Sequence, residues 1–226
     1  MEVITNSPKM RTNNGPVPNT QAFLESAGVP RRVVRLRQSQ EAYVQGDPAT
    51  SVMYIQEGKV KLSVVNEVGK EAIVAILGPG DFFGEGCLAG QSARMGTATA
   101  LISTTVLVIQ KNEMMRAIQS ERKFPDRFMS YLLSRKIRTE EDLIDHLFNS
   151  SEKRLARALL LLTGYGKQEP PQTTIPKMSQ EMLAEMVGTT RSRINFFMNK
   201  FRKKGYIKCK GGLHIKPSLL NVLLHE

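Results

Sequence analysis

Hydrophobic residues near the C-terminus recur with the period of an α-helix over residues 178–204. A first short helix has one apolar face, made by Leu183, Met186 and Val187. Ser179 is placed to cap its start and Gly188 to end it. A second helix, capped by Thr189 or Thr190, has apolar residues at spacings i, i+3, i+4 and i+7, namely Ile194, Phe197, Met198 and Phe201. The pattern predicts two short helices joined by a tight turn.

The opposite face of the second helix is polar and is expected to face away from the core. Two short helices with a glycine in the turn, the second rich in basic and amide side chains, are typical of helix-turn-helix DNA recognition. Arg191 stands at the helix start, where a guanidinium can donate two hydrogen bonds to guanine. Ser192 and Asn195 are predicted to contact bases or phosphates, and Arg193 a phosphate. Phe196 either touches a thymine methyl or packs under a neighbouring hairpin.

A hairpin is predicted directly after the second helix. Two β-type runs, at residues 206–210 and 213–216, are separated by Gly211 and Gly212. A hairpin in this place makes a winged helix, whose lysines would meet backbone phosphates. The candidate DNA-binding residues are Thr189, Thr190, Arg191, Ser192, Arg193, Asn195, Phe196, Asn199, Lys208 and Lys210.

Short β-type runs broken by glycine precede this region, from about residue 20 to residue 110. They lie at residues 32–37, 52–56, 60–66, 72–77 and 97–110. Such spacing predicts an antiparallel β-roll of the jelly-roll type, with a small cavity or a packed interior. A short helix is expected to follow at residues 112–119.

A long helix is predicted from Pro125 to about Phe148. Residues along it alternate by four and three, as in the seam of a two-stranded coiled coil with one polar position: Leu133, Ile137, Glu140, Ile144 and Leu147. This stripe predicts a homodimer, and the alternative is that it packs on its own roll. Asn149 with Glu152 has the form of a capping box, which predicts a hinge before a helix at residues 151–163.

The stretch at residues 82–100 of the predicted roll contains a candidate effector site. Gly84 and Gly86 allow close backbone approach, Glu85 offers a carboxylate suited to hydroxyl groups, and Arg94 can pair with an anion such as phosphate. These are the elements of a sugar-phosphate pocket. The alternative is that the glycines serve a turn and that Glu85 and Arg94 form a salt bridge.

The charge balance favours two domains with different partners. The chain of 226 residues has a net charge of +11, and 14 Lys or Arg against 5 Asp or Glu lie from residue 150 onward. A basic surface collects phosphates, so the expected partner is double-stranded DNA. The predicted organisation is a flexible tail at 1–19, a β-roll sensor domain at 20–122, a dimerisation helix and hinge at 123–149, and a DNA-binding domain at 150–226.

Composition and motifs argue against several other classes of protein. Cys87 and Cys209 are too few and too far apart for a metal cluster or a disulfide framework, which fits a reducing cytoplasm. Metal-dependent enzymes built on such rolls need clustered histidines and carboxylates as metal ligands. The three histidines of this chain, His146, His214 and His225, all lie outside the predicted roll, which argues against such an enzyme. No Ser-His-Asp set or phosphate-binding loop is present, and no apolar run is long enough for a membrane span or secretion signal. The prediction is a cytoplasmic protein that is not an enzyme.

With roll, long helix and winged helix in this order, the sequence resembles the bacterial CRP/FNR family of transcription regulators over residues 20–226. The motifs that carry the resemblance lie at residues 78–90, 150–162 and 179–201. The implied fold class is α+β, with a cyclic-nucleotide-binding-like roll, a dimerisation helix and a winged helix-turn-helix. The resemblance implies a homodimer on a two-fold symmetric operator, in contact with RNA polymerase. Arg191 matches the guanine-reading arginine of the family, whereas Ser192 and Phe196 depart from its glutamate and second arginine.

The resemblance also bears on the effector. Gly84, Glu85 and Arg94 match the cyclic-AMP-responsive members, but Met95 replaces a serine, which argues against cyclic AMP. Residues 1–40 contain no cysteine, so the iron-sulfur cluster of the oxygen-sensing members is not expected, nor is haem. The candidate effector-binding residues are Gly84, Glu85, Gly86, Arg94 and Met95. An unfamiliar nucleotide, another small molecule or no effector remain open.

The alternative function is that of a cyclic-nucleotide or small-molecule sensor that acts through protein contacts, as such domains do in kinases and channels. Neither a kinase domain nor a membrane segment accompanies this roll in the sequence. A DNA-binding regulator is therefore the leading hypothesis.

Overall fold

The computed structural model describes residues 29–120, 124–163, 174–175, 178–208 and 212–224. The chain forms two compact units, which divide between Phe148 and Asn149.

The N-terminal unit is an antiparallel β-roll, as predicted. Its strands are β1 Arg32–Leu36, β2 Glu41–Tyr43, β3 Ser51–Glu57, β4 Val60–Val65, β5 Glu71–Leu77, β6 Phe82–Phe83, β7 Thr97–Ala100 and β8 Thr104–Gln110. The described strands form two four-stranded sheets, in the orders β1-β8-β3-β6 and β2-β7-β4-β5. Ile55, Val60 and Phe83 are completely buried between them, so the interior is filled by side chains.

The run at residues 97–110, which was predicted as one strand, is two strands. Residues 101–103 form a bend between β7 and β8. The hydroxyl of Thr104 donates to the carbonyl of Ile102 at 2.8 Å and accepts from the Lys59 amide at 3.1 Å, which fixes the bend. Gly58 lies against it, because a Cβ there would stand 2.3 Å from the Thr104 hydroxyl. The short strands β2 and β6 were not predicted, since two or three residues give no readable alternation.

Two α-helices and a 3-10 turn at Glu85–Ala89 complete the described part of the N-terminal unit, the α-helices being α1 Lys111–Ser120 and α2 Phe124–Phe148. Phe124, Phe128 and Tyr131 of α2 are buried in the core of the roll. The Tyr131 hydroxyl accepts a hydrogen bond from the Phe82 amide at 2.8 Å and donates one to the Phe82 carbonyl at 2.9 Å. Helix α2 is therefore fixed to β6 by packing and by a paired backbone contact.

The C-terminal unit consists of short helices around a small sheet. Its described elements are α3 Ser151–Leu162, β9 Thr174–Ile175, α4 Gln180–Val187, α5 Arg191–Lys203, β10 Ile207–Lys208, β11 Leu213–Ile215, a 3-10 turn at Pro217–Leu220 and α6 Asn221–Leu224. The predicted hairpin is present as β10 and β11, with Ile207 opposite Ile215. Strand β9 pairs with the other edge of β11, and no strand is predicted from the sequence at these residues.

Helix caps in this unit agree with the sequence at α4 and differ at α3. Ser179 caps α4 by accepting from the Met182 amide at 3.0 Å, and Gly188 ends the helix in the left-handed conformation. Of the two threonines proposed for α5, Thr190 is the cap. At α3 the cap is Ser150, so the predicted capping box at Asn149 is wrong. A serine hydroxyl there reaches the orphan amide of Lys153 at 3.4 Å.

The core of the C-terminal unit joins α3, α4, α5 and the sheet. The four predicted apolar residues of α5 are all buried in it: Ile194, Phe197, Met198 and Phe201. Arg154 of α3 connects two further points, because its Nε donates to the Val187 carbonyl at 3.0 Å and its Nη1 to the Asn149 carbonyl at 2.9 Å. The end of α4 is thereby held against the start of this unit.

Candidate functional site

The first turns of α5 present an exposed polar face. Arg191, Ser192, Arg193 and Asn195 are all exposed, and Ile194 between them is completely buried. The buried Ile194 fixes the orientation of the helix, so the exposed side chains of this turn lie outside the core. Thr189 is half-buried and Thr190 is exposed at the cap. Arg191, Ser192 and Asn195 line one surface cleft, and Arg193 is exposed to one side of it.

Arg191 is held by a residue of the preceding helix. Its Nε lies 2.9 Å from Oε1 of Glu181, in the first turn of α4. The side chains remain 71% and 53% exposed, so water screens the pair and its contribution to stability is small. Its effect is orientation: with Nε engaged, the two terminal nitrogens stay available for a forked contact with an acceptor pair.

Asn195 and Asn199 belong to a chain of hydrogen bonds that the sequence did not suggest. Gln180 in the first turn of α4 donates through Nε2 to Oδ1 of Asn195 at 3.2 Å. Asn199 donates through Nδ2 to the same oxygen at 3.3 Å, and Arg202 donates to Oδ1 of Asn199 at 2.9 Å. Gln180, Arg191, Ser192 and Asn195 also line one shallow surface cleft. The site therefore includes α4 as well as α5.

Phe196 is 65% exposed, next to Phe197 with the two ring centroids 5.7 Å apart. An exposure this large rules out the alternative in which Phe196 packs under the hairpin. The side chain offers an apolar surface at the edge of the polar face.

The wing and the end of α5 add positive charge around this face. Lys208 of β10 is exposed, opposite His214 in β11, and Lys210 lies outside the described residues. The last turn of α5 contains Lys200, Arg202 and Lys203, of which Lys200 pairs with Glu152 at 2.8 Å. The basic residues flank the exposed turns of α5, as a phosphate-contacting border requires.

In the roll, Arg94 is buried and directed toward the protein itself. Its guanidinium donates to the carbonyls of Gly84 at 2.9 Å and Ser51 at 2.8 Å, and it lies 4.3 Å from the centroid of the Tyr43 ring. Burial raises the pKa of Tyr43 to about 12, although the nearby guanidinium lowers it in part. An anionic ligand that used these terminal nitrogens would have to replace the carbonyls, whereas the buried Nε of Arg94 has no hydrogen-bond partner among the described residues.

Glu85 pairs with Arg135 of α2 rather than with Arg94, so the salt bridge expected in the alternative reading of this loop is wrong. Arg135 Nη1 lies 2.9 Å from Oε1 of Glu85 and 2.7 Å from the Phe82 carbonyl that Tyr131 also contacts. Burial, reinforced by Asp81, raises the pKa of Tyr131 to about 12. The loop is thus connected to α2 through Glu85 and through β6.

The two remaining predicted effector residues occupy different surroundings. At Gly86 a Cβ would stand 1.8 Å from Oε1 of Gln91, so the space beside this glycine is filled by the Gln91 amide. Met95 is 70% exposed and points out of the roll. Gly84, Glu85, Gly86 and Arg94 therefore lie together, and Met95 does not join them.

The predicted dimer stripe lies on the exposed side of α2. Leu133, Ile137, Ile144 and Leu147 are each more than half exposed, which rules out the alternative that the stripe packs on its own roll. Glu140 pairs with Lys136 on the same helix. Further exposed apolar residues extend the stripe: Met129, Leu143 and Phe148. Helix α2 consequently has two apolar sides, one buried in the roll and one open.

The described residues contain no group of three or more His, Cys, Asp or Glu side chains placed to hold a metal ion. Nor does any helix in the described ranges have the length and apolar character needed to cross a bilayer.

Two family models match the chain one after the other. The cyclic nucleotide-binding domain matches residues 33–121, and the Crp-like helix-turn-helix domain matches residues 153–217. The chain belongs to the CRP/FNR family of transcription regulators. It is a DNA-binding regulator, and homodimers are typical of the CRP/FNR family.

The CRP/FNR relatives with similar sequences carry different names, and each matches about three quarters or more of this chain. The chain is 27% identical over 171 residues to the CRP-like cAMP-activated global transcriptional regulator of Mycobacterium tuberculosis, covering 75% of this chain and 76% of that protein. It is 29% identical to the global nitrogen regulator of Synechococcus elongatus, covering 81% and 85%. The structure of the c-di-GMP responsive global regulator CLP of Xanthomonas campestris is similar with a TM-score of 0.73 at 18% identity, covering 86% and 98%. That last likeness shows the fold alone.

Proposed function

We propose that this CRP/FNR regulator acts as a homodimer that places two copies of α5 in successive major grooves of a two-fold symmetric operator. The observation that carries the proposal is the exposed polar face of α5, with Arg191 at its start and a fully buried Ile194 behind it. A recognition helix reads base edges from its first turns, and a dimer of such helices spaces its half-sites by about one helical turn.

In this proposal Arg191 reads guanine and its neighbours fix the register of the helix. The free terminal nitrogens of Arg191 match the two acceptors of guanine, O6 and N7. Arg193, the cap residues Thr189 and Thr190 and the wing lysines contact phosphates, which orient the protein without carrying sequence information.

The open side of α2 supports the dimer. Its apolar residues alternate by four and three from Leu133 to Leu147, and they are solvent-exposed in a single chain. A second copy of the same helix would cover them, since a two-stranded coiled coil needs such a narrow stripe. We further propose RNA polymerase as the protein partner and the cytoplasm as the location, because a regulator of transcription meets both its DNA and the polymerase there.

The roll is proposed as the regulatory unit, with an effector other than cyclic AMP. The terminal nitrogens of Arg94 are engaged by two backbone carbonyls, Gln91 fills the space at Gly86, and Met95 is directed to solvent. One relative is named as cAMP-activated, another as a global nitrogen regulator, and the similar solved structure is that of a c-di-GMP responsive regulator, so the shared fold does not determine the effector.

The proposal is tested by comparing variants on a selected operator and on random duplex. Duplexes retained by the purified protein are sequenced to define the operator, and affinities are measured by fluorescence anisotropy. Arg191→Ala should weaken binding to the operator by ~1–3 kcal/mol and leave binding to random duplex nearly unchanged. The matched control, Arg193→Ala, removes the same charge from the same turn and should weaken both duplexes to the same extent. Equal losses on both duplexes for Arg191→Ala would contradict base reading by Arg191.

A further inference from the structure

We propose that Arg191 and Asn195 of α5 offer only hydrogen-bond donors to the bases, because Arg191 has no acceptor and a polarised chain of hydrogen bonds fixes the amide of Asn195. The chain, which we call the amide relay, consists of Gln180, Asn195, Asn199 and Arg202. This inference rests on the proposed DNA-binding function and adds which base edges the helix selects.

The direction of the amide relay is set at Arg202. A guanidinium has five donors and no acceptor, so its contact with Asn199 at 2.9 Å must use the Oδ1 oxygen of that amide. The Nδ2 group of Asn199 is then left on the other side, where it donates to Asn195 at 3.3 Å. A residue that cannot accept thus determines how the next amide is oriented.

Asn195 receives two donors on one oxygen. Its Oδ1 accepts from Asn199 and also from Nε2 of Gln180 at 3.2 Å. A carbonyl oxygen has two lone pairs, so both are engaged. What Asn195 can still offer to a ligand is its Nδ2 group, which has two donors and no acceptor.

This orientation removes the contact by which asparagine ordinarily selects adenine. That contact needs Oδ1 to accept from adenine N6 while Nδ2 donates to N7. With Oδ1 engaged, Asn195 can only donate: guanine offers it the acceptors N7 and O6 and thymine offers O4, whereas adenine offers N7 alone, beside the N6 donor. Arg191 is also a pure donor, with Nε at Glu181. The edges selected by Arg191 and Asn195 are therefore acceptor edges, and adenine is not favoured at the base contacted by Asn195.

The test reverses the amide relay with nearly isosteric changes. Asn199→Asp replaces an amide by a carboxylate, which accepts from Arg202 but cannot donate to Asn195. Turning the Asn195 amide restores this hydrogen bond, with the exposed Gln180 amide turning to accept instead of donate, and the Asn195 oxygen then becomes available to the DNA. Gln180→Glu removes the second donor and supplies an acceptor for a turned Asn195, so it should act in the same direction. Selection of duplexes from a random library is carried out with wild type, both variants, Asn199→Ala, Asn195→Ala and Arg191→Ala.

The position contacted by Asn195 is the one whose base preference disappears in Asn195→Ala. There, wild type should enrich guanine or thymine, and Asn199→Asp should raise the enrichment of adenine by about fivefold or more. Gln180→Glu should shift the preference the same way. Asn199→Ala is the matched control, because it breaks the amide relay without reversing it, and it should weaken the preference without favouring adenine. The added negative charge lowers affinity for every sequence and cancels in these ratios.

Several outcomes overturn the inference, and they separate it from the proposed function. Enrichment of adenine by wild type at that position would contradict it. So would an unchanged preference in both folded reversal variants, or no changed position in Asn195→Ala. In each of these cases the proposed function still stands if Arg191→Ala loses its guanine. If wild type selects no sequence, or Arg191→Ala changes nothing, the proposed function itself fails and the inference fails with it.

Discussion

Arg191 shows how an exposed side chain acquires direction from its neighbours. At 71% exposure its pair with Glu181 contributes little to the free energy of unfolding, about 0–1 kcal/mol for such surface pairs. Its value is in binding, since a long side chain that is already oriented has less conformational entropy to lose when it meets a base. The same reasoning applies to Asn195, whose amide has its partners in place.

Phe196 is a second exposed side chain of α5 with a defined expectation. If its ring covers a thymine methyl, replacing that thymine by uracil should weaken wild-type binding by about 0.8 kcal/mol, the value of one buried methyl-sized group. The Phe196→Ala variant should bind thymine and uracil operators equally. The measurement is fluorescence anisotropy on the matched duplexes.

The control for this experiment is stability. Phe196 is 65% exposed, so Phe196→Ala should leave the free energy of unfolding within about 0.5 kcal/mol of wild type. A uracil penalty of the same size in both proteins would show that the ring does not touch the methyl group.

Helix α2 has a different apolar surface on each of two sides. Its buried side is built from aromatic residues that pack beneath β6, and its open side from aliphatic residues spaced for a partner helix. Arg135 adds a third connection, from the helix to the loop at Glu85. Within the N-terminal unit, the loop and the open side of α2 are therefore parts of one connected element.

Ile137 is at the middle of the open side of α2 and is 55% exposed. Ile137→Asp places a charge in the proposed seam, so the variant should sediment as a monomer at micromolar concentration, where wild type sediments as a dimer. Thr139→Asp introduces the same charge at an exposed position away from the stripe and should remain dimeric. Sedimentation velocity distinguishes the two, and unchanged circular dichroism confirms the fold. A dimeric Ile137→Asp would place the interface elsewhere.

At the scale of the whole molecule, charge is divided unequally between the units. Residues from 150 onward hold 14 of the 32 Lys and Arg but only 5 of the 21 Asp and Glu. We therefore expect contacts with DNA phosphates to contribute much of the binding free energy, and the affinity for DNA to fall strongly as the salt concentration rises.

Lys208 on the wing provides a test of that dependence. If it neutralises one phosphate, Lys208→Ala should reduce the slope of log affinity against log salt by about 0.9 and weaken all duplexes alike. Lys70→Ala, at an exposed turn of the roll, removes the same charge and should leave the slope unchanged. Affinities are measured across a salt series, and an unaltered slope in Lys208→Ala would show that the wing does not reach the backbone.

The sequence predicted the parts of this molecule that depend on local pattern. The apolar spacing of α5, the glycine that ends α4 and the β-type runs broken by glycine are all properties of neighbouring residues, and the structure confirms them. Strand β9 was missed because two residues have no period of their own and become a strand only by pairing with β11.

The site was predicted less completely than the fold, for the same physical reason. The exposed residues of α5 could be named from its helical period. Gln180 and Glu181, however, contact them from α4, and the packing of one helix against another cannot be predicted from a local sequence pattern. Likewise, the partners of Arg94 and Glu85 come from strands and a helix far away in the chain. The polar first turn of α4 was the one available signal for its contribution.

The guanidinium of Arg154 spans the carbonyls of Asn149 and Val187, one at the first residue of its unit and the other at the last residue of α4. The planar guanidinium of Arg154 thus connects the start of this unit, at Asn149, to the turn between α4 and α5. A change in the backbone at Asn149 is therefore expected to disturb a hydrogen bond of the side chain that also positions the end of α4. The start of this unit and the turn between the two helices are linked through one side chain.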